Sequence, residues 1–109
     1  MPYYISDRFP KGIHLDREHP SVSFEVPKLS GQGLMSVVHM LVNDPKTGGR
    51  AEVIVNGKKI AVLDSYSIYG LNIPVCFGVM LEKNSDNYVE ITLAKGDEKK
   101  SIDIAGFGI

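Results

Sequence analysis

At 109 residues the chain is about one domain long, enough to bury roughly two-thirds of the surface its unfolded form exposes. With 43% hydrophobic and 23% charged residues it has the balance of a folded globular protein rather than of a disordered one. A net charge of -1 removes the basic excess that a phosphate-binding surface needs, and a single cysteine, Cys76, excludes an internal disulfide or a thiolate metal site within one chain.

In chain order, residues 1–20 read as irregular, because Pro2, Pro10, Gly12 and Pro20 interrupt any element. This start lacks the basic and apolar stretches of a signal peptide, so the expected location is cytoplasmic, or extracellular if a signal peptide was removed. Ser21–Val26 alternates, with Val22, Phe24 and Val26 on one face, and Pro27 stops it. Leu34–Val42 is apolar on both faces, the pattern of a central strand, and Asn43–Gly49 is a loop.

Two apolar-alternating runs then flank Asn56-Gly57, the pair that most readily takes positive φ at both corners of a type I′ turn, and so predict a hairpin over 51–63. Residues 64–74 are a connection carrying Tyr66 and Tyr69. Val75–Leu81 is a further apolar strand, in which Cys76 is expected to behave as a small core hydrophobe. After a polar turn at 82–87, Tyr88–Leu93 alternates with Val89, Ile91 and Leu93 inward. Loop 95–98 leads into Ser101–Ile104, with Ile102 and Ile104 inward, and Phe107 and Ile109 form an apolar tail. Strands this short, separated by turn residues and without a long helical period, predict one all-β domain over 1–109. Its architecture is an antiparallel β-sandwich of about seven to eight strands, with a closed barrel as the alternative.

The hairpin places a candidate site. A two-residue turn sets Val55 opposite Lys58, hence Val53 opposite Ile60 and Ala51 opposite Val62, with Arg50 near Asp64. Loops 43–49 and 64–74 therefore start side by side; if the next strands run antiparallel, loop 95–98 joins them and turn 82–87 goes to the opposite end. One rim gathers Asp44, Arg50, Asp64, Tyr66, Tyr69 and Asn72. Tyrosine offers sugar C–H groups an apolar face and a hydroxyl at its edge, and Arg, Asp and Asn supply directed hydrogen bonds. A polyhydroxylated ligand suits that set.

Other chemistry is less well marked. No Gly-x-Ser-x-Gly elbow is present and no Ser, His and acid set is marked by spacing, so no enzyme activity is expected. His14, Asp16 and Glu18 would share a face of an extended segment, a metal-ligand pattern that a solvated polar run produces equally well. His39 reads as a core or groove histidine. Asp86 with Asn84 and Asn87 has one carboxylate, too few for calcium, and reads as turn chemistry. Lys95, Lys99 and Lys100 read as a solvated strand end. No cofactor, metal, nucleic acid or membrane is expected.

The stretch Val55-Asn-Gly-Lys58, followed by Leu81-Glu-Lys-Asn-Ser-Asp-Asn87-Tyr-Val-Glu-Ile91, resembles galactose-binding-like β-sandwich domains. These include carbohydrate-binding modules and the sugar-binding domains of glycoside hydrolases. The resemblance spans roughly residues 34–104 and departs from the usual pattern at Ser85 and Asp86, where a glycine is common. It implies a jelly-roll sandwich and, often, sugar recognition by loops at one rim. The function expected is thus a non-catalytic module for a carbohydrate or similar polar ligand. The alternative is an assembly protein that self-associates or docks a protein partner, motivated by the apolar strands and the Gly106–Ile109 tail.

Overall fold

The computed structural model describes residues 12–28, 33–70 and 73–108. Eight strands run in the order β1 (Ile13–Leu15), β2 (Ser21–Val26), β3 (Leu34–Leu41), β4 (Arg50–Val55), β5 (Lys58–Asp64), β6 (Ile73–Met80), β7 (Asn87–Leu93) and β8 (Ile102–Gly108). They form two antiparallel four-stranded sheets, β1-β8-β3-β6 and β2-β7-β4-β5. The protein is a β-sandwich of jelly-roll type. Among the described residues there is no helix, and so none long and apolar enough to cross a membrane.

Alternation explains most of the strands. Met35, Val37 and His39 of β3 point inward, as do Ala51, Val53 and Val55 of β4 and Val89, Ile91 and Leu93 of β7. Their partners across the gap include Phe24, Ile102, Ile104 and Phe107, and the rings of Phe24 and Phe107 meet edge-to-face with centroids 5.0 Å apart. Phe107 is 4% exposed, so that part of the tail is core; Ile109 lies outside the described residues. β3 is central in its sheet, as its two-faced apolar pattern predicts.

Three expectations are corrected. The segment before Pro20 is not irregular throughout, because Ile13–Leu15 pairs with β8 as β1. The hairpin turn is where the sequence puts it, with Asn56 at φ 53° and Gly57 at φ 83°, and Val55 faces Lys58. Beyond Ile54↔Lys59, however, a bulge at Ile60 shifts the register, so Val53 faces Ala61, Ala51 faces Leu63 and Arg50 faces Asp64. One extra residue turns every later side chain over. The bulge buries Leu63 completely and turns Ile60 and Val62 to the surface. Finally, Cys76 is exposed, because β6 is an edge strand with little packed over that face.

At the Asn56–Gly57 end, the side chain of Asn87 (3% exposed) makes all the bonds an amide can. Its Oδ1 accepts from Asn56 Nδ2 and from the Glu82 N–H, both at 3.0 Å. Its Nδ2 donates to the carbonyls of Glu82 (3.0 Å) and Ser85 (3.2 Å). Asn56 Oδ1 in turn accepts from the Tyr88 N–H at 2.8 Å. The Lys28 N–H bonds Asp86 at 2.6 Å, and Asn84 takes φ 59°, which is turn chemistry as expected.

Candidate functional site at the opposite rim

Three segments converge at the other end of the sandwich: 42–50, 64–67 and 94–101. Backbone bonds tie them in both directions, from Val42 N–H to Ser65 O, Ser67 N–H to Val42 O, Ser65 N–H to Gly49 O and Gly49 N–H to Ser101 O. The buried Ser65 hydroxyl donates to Gly49 O at 2.6 Å. Approach this close requires glycine. A Cβ on Gly48 would sit 3.0 Å from the Tyr66 and Val42 side chains, and one on Gly49 would sit 3.0 Å from Lys100 and 3.1 Å from the Ser101 carbonyl.

The electrostatic centre is Asp97, which is 5% exposed. Its Oδ2 accepts from the Arg50 backbone N–H at 2.8 Å and from Arg50 Nε at 3.1 Å, and its Oδ1 lies 3.9 Å from Lys100 Nζ. The hydrogen bond from the Arg50 guanidinium holds the Asp97 carboxyl below the usual carboxylate range, outweighing the opposite effect of burial. The same bond raises the Arg50 pKa further, so both groups stay charged. Arg50 engages Asp97 through Nε, and no described residue hydrogen-bonds its terminal Nη nitrogens.

A cleft of about 240 Å³ opens over this pair, lined by Pro45, Gly48, Arg50, Asp64, Tyr66, Asp97 and Lys100. Of the residues singled out from the sequence, Arg50, Asp64 and Tyr66 line it. Asp64 Oδ1 accepts from the Tyr66 N–H at 3.0 Å, which fixes the chain where the ring projects, and Tyr66 is 39% exposed. Asp44 is a turn residue instead: its Oδ1 accepts from the Lys46 N–H, and its carbonyl accepts from Thr47 and Gly48. Tyr69 is 85% exposed and stands outside the cleft wall. Asn72 lies outside the described residues. Asp97 and Lys100 are the charged members that sequence reasoning left out. The sequence reading puts loop 95–98 at this rim, and the aspartate of that loop, which meets Arg50, is the available signal.

A second cleft, about 350 Å³, shares Lys100 and Ser101 with the rim and is lined also by His14, Asp16, Arg17, Glu18, Thr47 and Lys99. There His14 Nδ1 is bonded to Asp103, its cross-strand partner, and His14 Nε2 lies 3.5 Å from Asp16. Asp16 caps the bend after β1, accepting from the Glu18 and His19 N–H groups. That bend breaks the extended face that would have aligned His14, Asp16 and Glu18. Among the described residues no group of three His, Cys, Asp or Glu side chains could hold a metal. His39 is buried at 3% exposure, with Nδ1 3.4 Å from the Met40 carbonyl, and burial pushes its pKa down.

No protein-family model matches the chain, and no curated protein matches it. Solved structures do. The carbohydrate-binding module CBM36 in complex with calcium and xylotriose superposes with a TM-score of 0.63 at 14% identity, covering 100% of this chain and 87% of that one. The CBM36-1 domain of a multidomain xylanase from the hindgut metagenome of Trinervitermes trinervoides gives 0.58 at 14% identity, covering 81% and 68%. A family 35 carbohydrate-binding module from an environmental isolate gives 0.58 at 18% identity, covering 80% of this chain, which spans 62% of that module. The likeness is one of fold.

Proposed function

We propose that the protein is a non-catalytic binding module whose rim cleft takes a carbohydrate or a similar polar, hydroxyl-rich ligand. The observation that carries this reading is the cleft itself: an exposed tyrosine ring stands beside guanidinium, ammonium and carboxylate groups, on loops locked by backbone bonds. A ring face stacks on sugar C–H groups while Arg50, Lys100 and Asp64 direct hydrogen bonds to hydroxyls. Because the loops are tied in advance, little ordering entropy is lost on binding. The carbohydrate-binding modules that share the fold support the ligand class.

Calcium accompanies xylotriose in one of those relatives. Among the described residues, those lining the cleft do not fit a comparable ion. Asp97 is already engaged with Arg50 and Lys100, and the other carboxylate lining the cleft, Asp64, already accepts from the Tyr66 N–H through Oδ1. Recognition is therefore assigned to side chains acting directly.

A glycan array spanning neutral and acidic plant and animal oligosaccharides tests the proposal. Selective binding that survives a chelator and disappears in Tyr66→Ala supports it. A silent array, or binding indifferent to Tyr66, overturns it.

A further inference from the structure

β6 is the outermost strand of its sheet, and its backbone directions can be deduced. The Leu81 N–H donates to the Gly33 carbonyl at 2.8 Å, one step beyond the Leu34↔Met80 pair, so the β3–β6 ladder continues through Leu81. Bonded and non-bonded pairs alternate in an antiparallel ladder. Val79, Phe77, Val75 and Ile73 therefore turn their backbone groups to β3, and Met80, Gly78, Cys76 and Pro74 turn theirs to the open edge. Pro74 sits where its missing N–H costs the ladder nothing. The N–H groups of Cys76, Gly78 and Met80 have no backbone partner among the described residues.

The other three sheet edges are guarded. β5 carries Lys58 and Lys59 and the bulge at Ile60, β1 is three residues long, and β2 is closed by Pro20 and Pro27 with Glu25 between them. Such devices are how sheets avoid edge-to-edge pairing. β6 is eight residues long, bears no charge, and exposes Ile73, Phe77 and Met80 (63%) as well as Cys76.

We infer that β6 pairs antiparallel with β6 of a second copy of the chain, about a two-fold axis at Gly78. The occupant of such an edge must be an extended, uncharged strand with its own backbone groups free, and a second β6 is one. Its pattern is self-complementary in this register. Gly78 meets the partner's Gly78 and Cys76 meets the partner's Met80, so every free N–H finds a carbonyl and Pro74 falls beyond the paired stretch. An axis at Phe77 or Cys76 would set Pro74 against a carbonyl it cannot serve. A single strand pair makes a small interface, so the dimer is concentration-dependent.

Sedimentation velocity over a concentration series tests this, together with two kinds of variant. The wild type passes from monomer to dimer. Met80→Lys and Cys76→Lys weaken the dimer at least tenfold while the circular dichroism spectrum and melting temperature hold. Under air oxidation Met80→Cys gives a covalent dimer, since a directly opposed bonded pair has Cα atoms about 5.5 Å apart, within disulfide range. A wild type that stays monomeric at every concentration overturns the inference, whether or not another protein binds the edge. A dimer that ignores both lysine variants, or one that Met80→Cys fails to cross-link, overturns it as well.

Discussion

Each end of the sandwich is organised around one buried polar side chain at the margin of β7, Asn87 at one end and Asp97 at the other. Asn87 spends both lone pairs and both N–H groups on its own neighbourhood. Asp97 holds Arg50 and Lys100 in place, but those cations keep donors to spare, and the cleft above them also presents Asp64 and Tyr66. The first end is closed chemically and the second is open. Asn87 and Asp97 are both fully engaged, so what separates structure from recognition is the capacity left over at the surface.

The comparison is broken most severely at Asn87. Asn87→Ala strands the Glu82 N–H and two carbonyls, and is expected to cost about 3 kcal/mol in urea denaturation. A cost below about 1 kcal/mol would mean that water replaces the amide and the end is not closed. Asp97→Asn keeps the shape and removes the charge; it should cost about 1–2 kcal/mol and also weaken ligand binding, because Arg50 loses its anchor. An equal loss of stability with intact binding would separate Asp97 from the site.

The same groups give stability a pH dependence with a definite sign. Asp97 has its pKa lowered by folding, so its contribution is present above the ordinary value of 3.8 and is lost as pH falls through its folded value. His39 is a base whose pKa burial lowers, so the unfolded chain binds its proton first. Its cost begins as pH falls below 6.5 and grows until the folded-state value is reached. Denaturation midpoints measured from pH 7 downward should fall in two steps. His39→Gln should flatten the first and Asp97→Asn the second.

Smaller effects sharpen the contrast. Tyr66→Ala should reduce ligand affinity at least tenfold with the melting temperature nearly unchanged, whereas Tyr69→Ala, outside the cleft, should alter neither; calorimetric titration reads both. At the closed end the buried Ser85 hydroxyl has no partner among the described residues. Ser85→Ala should therefore raise stability slightly, by less than about 1 kcal/mol.

Much of the fold was legible in the amino-acid order because burial on one face writes a period of two. Ser21–Val26 and Tyr88–Leu93 have the inward faces that their alternation predicts, and Asn56-Gly57 makes the turn. The two stretches that carry the family resemblance touch, Asn56 to Asn87 at 3.0 Å, and their chemistry is structural. What escaped was set by neighbours rather than by local pattern. Nothing in Lys59-Ile-Ala-Val-Leu63 announces a bulge, since Ile60 and Val62 serve as well as Leu63 for an inward face. The apolar run around Cys76 reads as core because composition does not reveal that β6 ends its sheet. At the rim, Arg50, Asp64 and Tyr66 followed from the hairpin. Asp97 did not, because its weight comes from burial against Arg50 across 47 residues of chain.

The most direct test is amide chemical-shift mapping while an array-selected oligosaccharide is titrated into the labelled protein. The account predicts saturable shifts in 44–50, 64–67 and 95–101, with 56–57 and 82–88 unmoved. Shifts confined to the Asn56–Asn87 end, or absent from the rim at saturation, would contradict it.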